Sequence, residues 1–206
     1  RLKSRRKQAY VSRGGLKLEA ALARTKDAVV DAVCLDLGAS TGGFTDCLLQ
    51  HGAQRVYAVD VAYGILDWSL QTHPRVVNLE RTHAGQLTQE QIPESIDVVV
   101  ADISFNSLGR LLPAVLDFLK DGAFAFLLLK PQFEAAAHQV GEGGIMRDAK
   151  VRNQVVSQTK EDIEALGFDI RDCFESPIRG ANGNIEYLII ARHLGGQKPL
   201  SAFVVE

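Results

Sequence analysis

The chain has 206 residues, 46% of them hydrophobic and 23% charged. That length suits one generous domain able to bury a core without disulfide or metal staples, and 23 basic against 25 acidic residues gives no overall basic charge to advertise a nucleic-acid partner. The longest apolar run, AFAFLLL at 123–129, is far short of the ~20 residues that a membrane-spanning helix needs.

Charge is unevenly distributed. Arg1, Lys3, Arg5, Arg6, Lys7, Arg13 and Lys17 precede the first acid, Glu19, leaving 16 bases against 25 acids in the remainder. A basic arm over 1–13 on an acidic body suggests contact with phosphates, with a solvated tail as the alternative. A helix is predicted over 15–25, after Ser12-Arg13-Gly14, burying a face of Leu16, Leu18, Ala20, Ala21 and Leu22. β-branched and apolar runs then recur at Ala32–Leu37, Arg55–Asp60, Arg75–Leu79, Ile96–Ile103, Ala123–Lys130, Phe168–Glu175 and Ile185–Ala191. Helical segments at 43–51, 107–119 and 148–166 alternate with them, which is the signature of an α/β protein with a parallel sheet. Residues 134–147, rich in Gly and Ala and without a period, read as a mobile loop. Residues 14–194 form the predicted domain and 195–206 a tail.

Cys34, Cys47 and Cys173 form no CxxC, and an odd count does not make a disulfide framework. Cys34, inside an apolar run, reads as packing. The compartment reads as reducing and hence cytoplasmic. The five histidines show no ligand spacing, so no metal is expected. The only methionine is Met146, so the natural sequence is expected to continue upstream.

The first chemistry lies where the first strand ends, at Asp36-Leu37-Gly38-Ala39-Ser40-Thr41-Gly42-Gly43-Phe44. A strand running into a glycine-rich turn and then a helix lets backbone approach a ligand at the sheet's carboxyl edge. Asp60, with Val61 beside it, closes the next strand and is placed to accept hydrogen bonds from ribose hydroxyls. Phe44 after Gly43 breaks the phosphate-loop pattern, and Ser40 breaks the dinucleotide fingerprint. A carboxylate at Asp36 would repel a pyrophosphate but can pair with an ammonium group, directly or through water. S-adenosylmethionine, with an amino-acid end and no phosphate, is the cofactor that fits; a structural turn is the alternative. Glu80 and Arg81, after the third strand, are further candidates to face it. Tyr63, Leu66 and Trp68 either line the adenine side or pack a helix.

The motifs YVSRGGLKL (10–18), DLGASTGGFTDCLL (36–49), VYAVDVAYGILDW (56–68), VVVADISF (98–105), LLLKPQFE (127–134) and GNIEYL (183–188) occur in this order. Together they resemble the TlyA-type methyltransferases, a family often labelled hemolysin A and related to FtsJ-like ribose 2′-O-methyltransferases. The resemblance spans residues 7–194. It implies a Rossmann-like methyltransferase fold with a seven-stranded, mostly parallel sheet, the last strand antiparallel, and helices on both faces. It also implies ribosomal RNA, free or in a ribosomal subunit, as substrate, and an S4-type RNA-binding domain upstream of a basic linker. Related enzymes use a Lys-Asp-Lys-Glu tetrad, which maps here to Lys17, Asp102, Lys130 and Glu186. Lys130 closes an apolar strand and precedes Pro131, so it is expected to be partly desolvated. With Lys17 near, it is the expected general base toward a ribose hydroxyl, and Asp102 and Glu186 would orient the two lysines. Phe105 and Phe133 either stack on a flipped nucleotide or pack the core.

Two other classes remain open at this point. One is a membrane-active hemolysin, which no strongly apolar amphipathic helix supports. The other is a non-catalytic RNA-binding module on the same fold.

Overall fold

The computed structural model describes residues 9–196; the first eight residues of the basic arm and positions 197–206 of the tail lie outside them. Seven strands form one sheet: β1 (Val33–Leu37), β2 (Arg55–Val59), β3 (Val76–Leu79), β4 (Ile96–Ala101), β5 (Leu119–Leu129), β6 (Phe168–Glu175) and β7 (Tyr187–His193). Their order is β3-β2-β1-β4-β5-β7-β6. The first five run parallel to one another, while β7 pairs antiparallel with both β5 and β6. This is the fold expected from the sequence, down to the reversed last strand.

Side chains alternate across the pleat, and both faces are buried. Leu35, Val99, Ala125 and Leu127 point to one face and pack with Leu108, Leu112, Val115 and Ile163. Cys34, Val98, Val100, Phe126 and Leu128 point to the other and pack with Leu18, Ala21, Cys47 and Leu48. Burial on both faces explains why these strands read as nearly continuous apolar runs.

Helices α1 (Gly14–Leu22) and α2 (Gly43–Gln50) cover the second face. In α1 the buried residues are Gly15, Lys17, Leu18, Ala21 and Leu22. Leu16, expected inside, is 36% exposed, because the inward face takes Lys17 instead. Residues 9–12 of the expected arm pack on α2: Val11 N donates to Asp46 Oδ2 at 2.8 Å, Gln50 Nε2 to the Ala9 carbonyl at 3.0 Å, and Tyr10 is 5% exposed.

Three short helices follow, α3 (Trp68–Gln71), α4 (Leu108–Leu111) and α5 (Pro131–Glu134), and a long one, α6 (Ala149–Ala165). The helix predicted over 107–119 stops after one turn and continues as a 3-10 helix, Leu112–Phe118. Pro113 has no N–H for an α-helical bond to residue 109, and its ring crowds that carbonyl. Helix α6 starts as predicted, with Asp148 accepting from the amides of Lys150 and Val151. Between α5 and α6 the chain makes single 3-10 turns, and Asn184 ties it down: its Oδ1 accepts from Met146 N and its Nδ2 donates to the Gly144 carbonyl, both at 2.9 Å. Among the described residues no helix is long and apolar enough to cross a membrane, and no group of three or more His, Cys, Asp and Glu is placed to hold a metal.

Candidate active site

The expected site residues gather at one edge of the sheet, because they end strands. Asp60 follows β2, Asp102 follows β4 and Lys130 follows β5. Glu186 precedes β7, but β7 is reversed, so its start lies at the same edge; the β5–β7 ladder closes there with Leu129 opposite Tyr187.

The glycine turn is built for close approach. Gly38 has φ +78°, and a Cβ there would lie 2.7 Å from the Asp102 carbonyl oxygen. Gly42 has φ +102°, and a Cβ would overlap Leu70. Neither position accepts another residue without moving the backbone. Ser40 adopts a left-handed φ of +51°, held by its amide, which donates to Asp60 Oδ2 at 2.7 Å. Asp60 Oδ1 accepts from Ala62 N at 2.8 Å. Each carboxylate oxygen keeps a further acceptor site for a ligand hydroxyl.

Two cavities open beside the turn. One of about 440 Å³ is lined by Gly38, Ser40, Asp60, Val61, Ile65, Thr82, Asp102 and Phe105, among others. The other, of about 250 Å³, is lined by Ser12, Arg13, Lys17, Gly38 to Thr41, Gly43, Phe44, Asp102 and the 178–181 segment. Gly38, Ser40 and Asp102 belong to both.

Two lysine–carboxylate pairs stand at this trough. Lys17 Nζ lies 2.5 Å from Glu186 Oε2, with side chains 11% and 2% exposed. Lys130 Nζ lies 2.6 Å from Asp102 Oδ1 and donates to Ser104 Oγ at 3.0 Å. The Lys130 side chain is only 11% exposed, in keeping with its place at a strand end. The four expected positions therefore form two ion pairs, of which Lys17 and Asp102 line the smaller cavity while Glu186 and Lys130 stand behind them and line neither.

Other expectations fare differently. Asp36 lines neither cavity. It is fully buried, its Oδ2 accepts from Thr45 Oγ1 at 2.7 Å, and its Oδ1 has no partner. Burial pushes this carboxyl up to about 7; the Thr45 bond opposes the rise, and the negative charges of Asp102 and Asp60 add to it. Glu80 also stands outside both cavities, accepting from Gly64 N at 3.0 Å. Arg81 lies over the Tyr63 ring, 4.1 Å from its centre. Leu66 is buried beneath Gly42, whereas Tyr63 and Trp68 are 66% and 74% exposed, so the apolar wall nearest the turn comes from Val61 and Ile65 instead. Phe105 does not pack the core: it is 90% exposed with φ +61°, tilted against Phe133 at 5.0 Å between ring centres.

The sequence reading missed Ser12, Arg13 and the 178–181 segment as cavity walls. The last lies in a polar stretch ahead of β7 with no period or motif of its own. The SRGG motif before Lys17 was the available signal for the first two.

A family model described as FtsJ-like methyltransferase matches residues 10–193. The chain is 46% identical over 185 residues to the Mycobacterium tuberculosis protein named 16S/23S rRNA (cytidine-2′-O)-methyltransferase TlyA, covering 90% of this chain and 69% of that one. A solved structure from Streptococcus thermophilus, described as a candidate hemolysin, superposes with a TM-score of 0.87 at 41% identity, covering 91% of this chain and 68% of that one. A Listeria monocytogenes structure described as a candidate S-adenosylmethionine-dependent methyltransferase shares the fold, with a TM-score of 0.64 at 19% identity over 88% of this chain and 99% of that one.

Proposed function

Since this chain belongs to the FtsJ-like methyltransferase family, we propose that it methylates a ribose 2′-hydroxyl of ribosomal RNA with S-adenosylmethionine as donor. The observation that carries this reading is a buried pair, Lys17–Glu186, and a half-buried one, Lys130–Asp102, each contributing a residue to the cavity beside the glycine turn. The name of the M. tuberculosis relative supports the substrate class.

The residues fit the cofactor. Gly38 lets the turn lie against the Asp102 backbone, where a Cβ would collide, and both residues line the two cavities beside it. Asp60 offers acceptors to ribose hydroxyls, and Val61 and Ile65 give an apolar wall for the adenine. Asp36, fully buried and outside both cavities, supports the turn from beneath through Thr45 rather than meeting the ligand. When bound, S-adenosylmethionine supplies a methyl group on positively charged sulfur, open to attack by the ribose oxygen. Once the Lys130 ammonium has passed one proton to solvent, its free amine takes the proton of the 2′-hydroxyl as general base while the ribose oxygen bonds to the methyl carbon. Asp102 and Ser104 fix that amine, and Glu186 fixes Lys17, which orients the hydroxyl. In-line placement carries much of the acceleration. Phe105, exposed at the mouth, offers a face for the target base to stack on. On this reading residues 1–13 contact RNA phosphates, an S4-type domain upstream adds affinity, and the protein works in the cytoplasm with the ribosome.

The test is transfer of labelled methyl to ribosomal subunits from cells lacking the gene. A 2′-O-methyl group blocks alkaline cleavage of the adjacent phosphodiester, so label is expected in alkali-resistant dinucleotides. Label recovered in mononucleotides, on a base, would overturn the ribose assignment.

A further inference from the structure

The segment carrying Asp102, Ser104 and Phe105 is tied to the segment carrying Lys130 at three levels. Lys130 holds Asp102 and Ser104. Phe133 meets Phe105, ring to ring. One residue further on, Glu134 Oε1 accepts from the amide of Leu108 at 2.9 Å. The first two contacts belong to the site already described; the third does not, and no step of the reaction uses Glu134.

Its position is nonetheless informative. The 102–108 stretch is a short span with two fixed ends. At one end the Asp102 amide donates to the Leu37 carbonyl at 3.1 Å. At the other, Leu108 is fully buried and its amide opens α4. That amide has no partner within its own turn. Ser107, the residue before it, accepts from Arg110 rather than from Leu108. Between the ends Phe105 is held in a left-handed φ of +61°, a conformation that a bulky residue keeps only where its surroundings impose it. Glu134 sits in α5, which begins one residue after Lys130, so it is anchored to the strand end that carries the amine.

We infer that Glu134 is a positioning residue for the reaction proposed above: by holding the Leu108 amide it sets the distance of Asp102, Ser104 and Phe105 from Lys130. The inference rests on that reading for the reaction and on the structure alone for the tether. Without the tether the 102–108 span relaxes away from its left-handed kink, and the Lys130 amine loses its fixed partners. Burial pushes the Glu134 carboxyl up to about 7, with Asp162 adding to the rise and the Leu108 and Arg110 interactions opposing it, so glutamine is a close mimic that keeps the accepting oxygen.

The experiment compares the full chain with Glu134→Ala, Glu134→Gln and Ser107→Ala. Ser107→Ala weakens the same helix start without touching the tether. Hydrogen exchange of the 102–108 peptide and single-turnover methyl transfer to ribosomal subunits are measured below every variant's melting temperature. Glu134→Ala is expected to exchange faster at 102–108 and to transfer roughly 10–100-fold more slowly, with cofactor affinity within about threefold of wild type. Glu134→Gln should restore both, and Ser107→Ala should lose stability while transferring normally. Unchanged exchange and rate in Glu134→Ala, or a glutamine variant as slow as alanine, would overturn the inference. If the unaltered chain transfers no methyl group, the proposed reaction is what fails; unchanged exchange in Glu134→Ala would still refute the tether.

Discussion

Replacing Asp36 by asparagine should change how stability depends on pH. The side chain has no exposed surface and one hydrogen bond, from Thr45, and burial raises its carboxyl to about 7. In the unfolded chain an aspartate ionises near 4. Between those values the folded state binds the proton more tightly, so the stability this group contributes is complete below about pH 4 and is lost as pH rises to about 7. About three pH units at 1.36 kcal/mol each make that loss of the order of 4 kcal/mol. Asparagine never ionises and escapes it. Its amide leaves buried N–H groups without acceptors, at roughly 1–3 kcal/mol, but that penalty is the same at every pH. The stability of the variant relative to wild type should therefore rise by about 3–4 kcal/mol between pH 4 and pH 8. Urea unfolding followed by circular dichroism at pH 4.5, 6, 7 and 8 gives the curve for each protein. A difference that stays flat with pH would refute the account of Asp36 as a buried carboxyl that must ionise in place.

Asp60→Ala releases the amides of Ser40 and Ala62 together with the acceptors proposed for the cofactor ribose. At roughly 1.5–3 kcal/mol per charged hydrogen bond, calorimetry should show S-adenosylmethionine binding weakened at least about tenfold, and unchanged affinity removes Asp60 from the site. Lys130→Arg keeps a cation but cannot give up a proton at accessible pH; single-turnover transfer should fall roughly 10²–10⁴-fold with cofactor binding retained, and near-normal turnover would leave Lys130 as a fixed cation rather than a base. Gly180→Ala places a Cβ on top of Glu186 Oε1. Because Glu186 is 2% exposed it has no free space to enter, so thermal unfolding should show a loss of about 1–3 kcal/mol and methyl transfer should drop along with it.

Much of this site was legible because its residues end strands. Asp60, Asp102 and Lys130 each close a strongly apolar run, and both faces of the sheet are buried, so the runs stood out and their ends could be numbered. What was not legible depends on contacts distant in sequence. Nothing local marks Lys17 as the partner of Glu186, 169 positions away, or shows that α1 buries a lysine in place of Leu16. Asp36 and Asp60 look alike as acids beside glycine turns. They differ because Asp36 lies within β1, on the face covered by α2, whereas Asp60 lies one residue past the end of β2. For Phe105 the sequence left stacking on a nucleotide and core packing both open; its left-handed backbone and 90% exposure, which exclude the core, have no local signal. Pro113, by contrast, was a visible signal in the predicted 107–119 helix, and its effect on the ladder of hydrogen bonds follows from local chemistry alone.

The position of β7 has a consequence for synthesis. It lies between β5 and β6, although it is made after both, and β6 pairs with no other strand. Until residues 187–193 emerge from the ribosome, β5 presents an unpaired edge along Phe124–Leu129 and β6 has nothing to add to. An apolar open edge is a template for pairing with other chains, and long-range closure of this kind is slow relative to local folding. Lys17 meanwhile waits for a counter-ion encoded near the end of the domain. A nascent or truncated chain that stops before β7 is thus both sticky and chemically incomplete. The same late strand that seals the sheet also delivers Glu186, so the site cannot be assembled in a protein whose fold is unfinished.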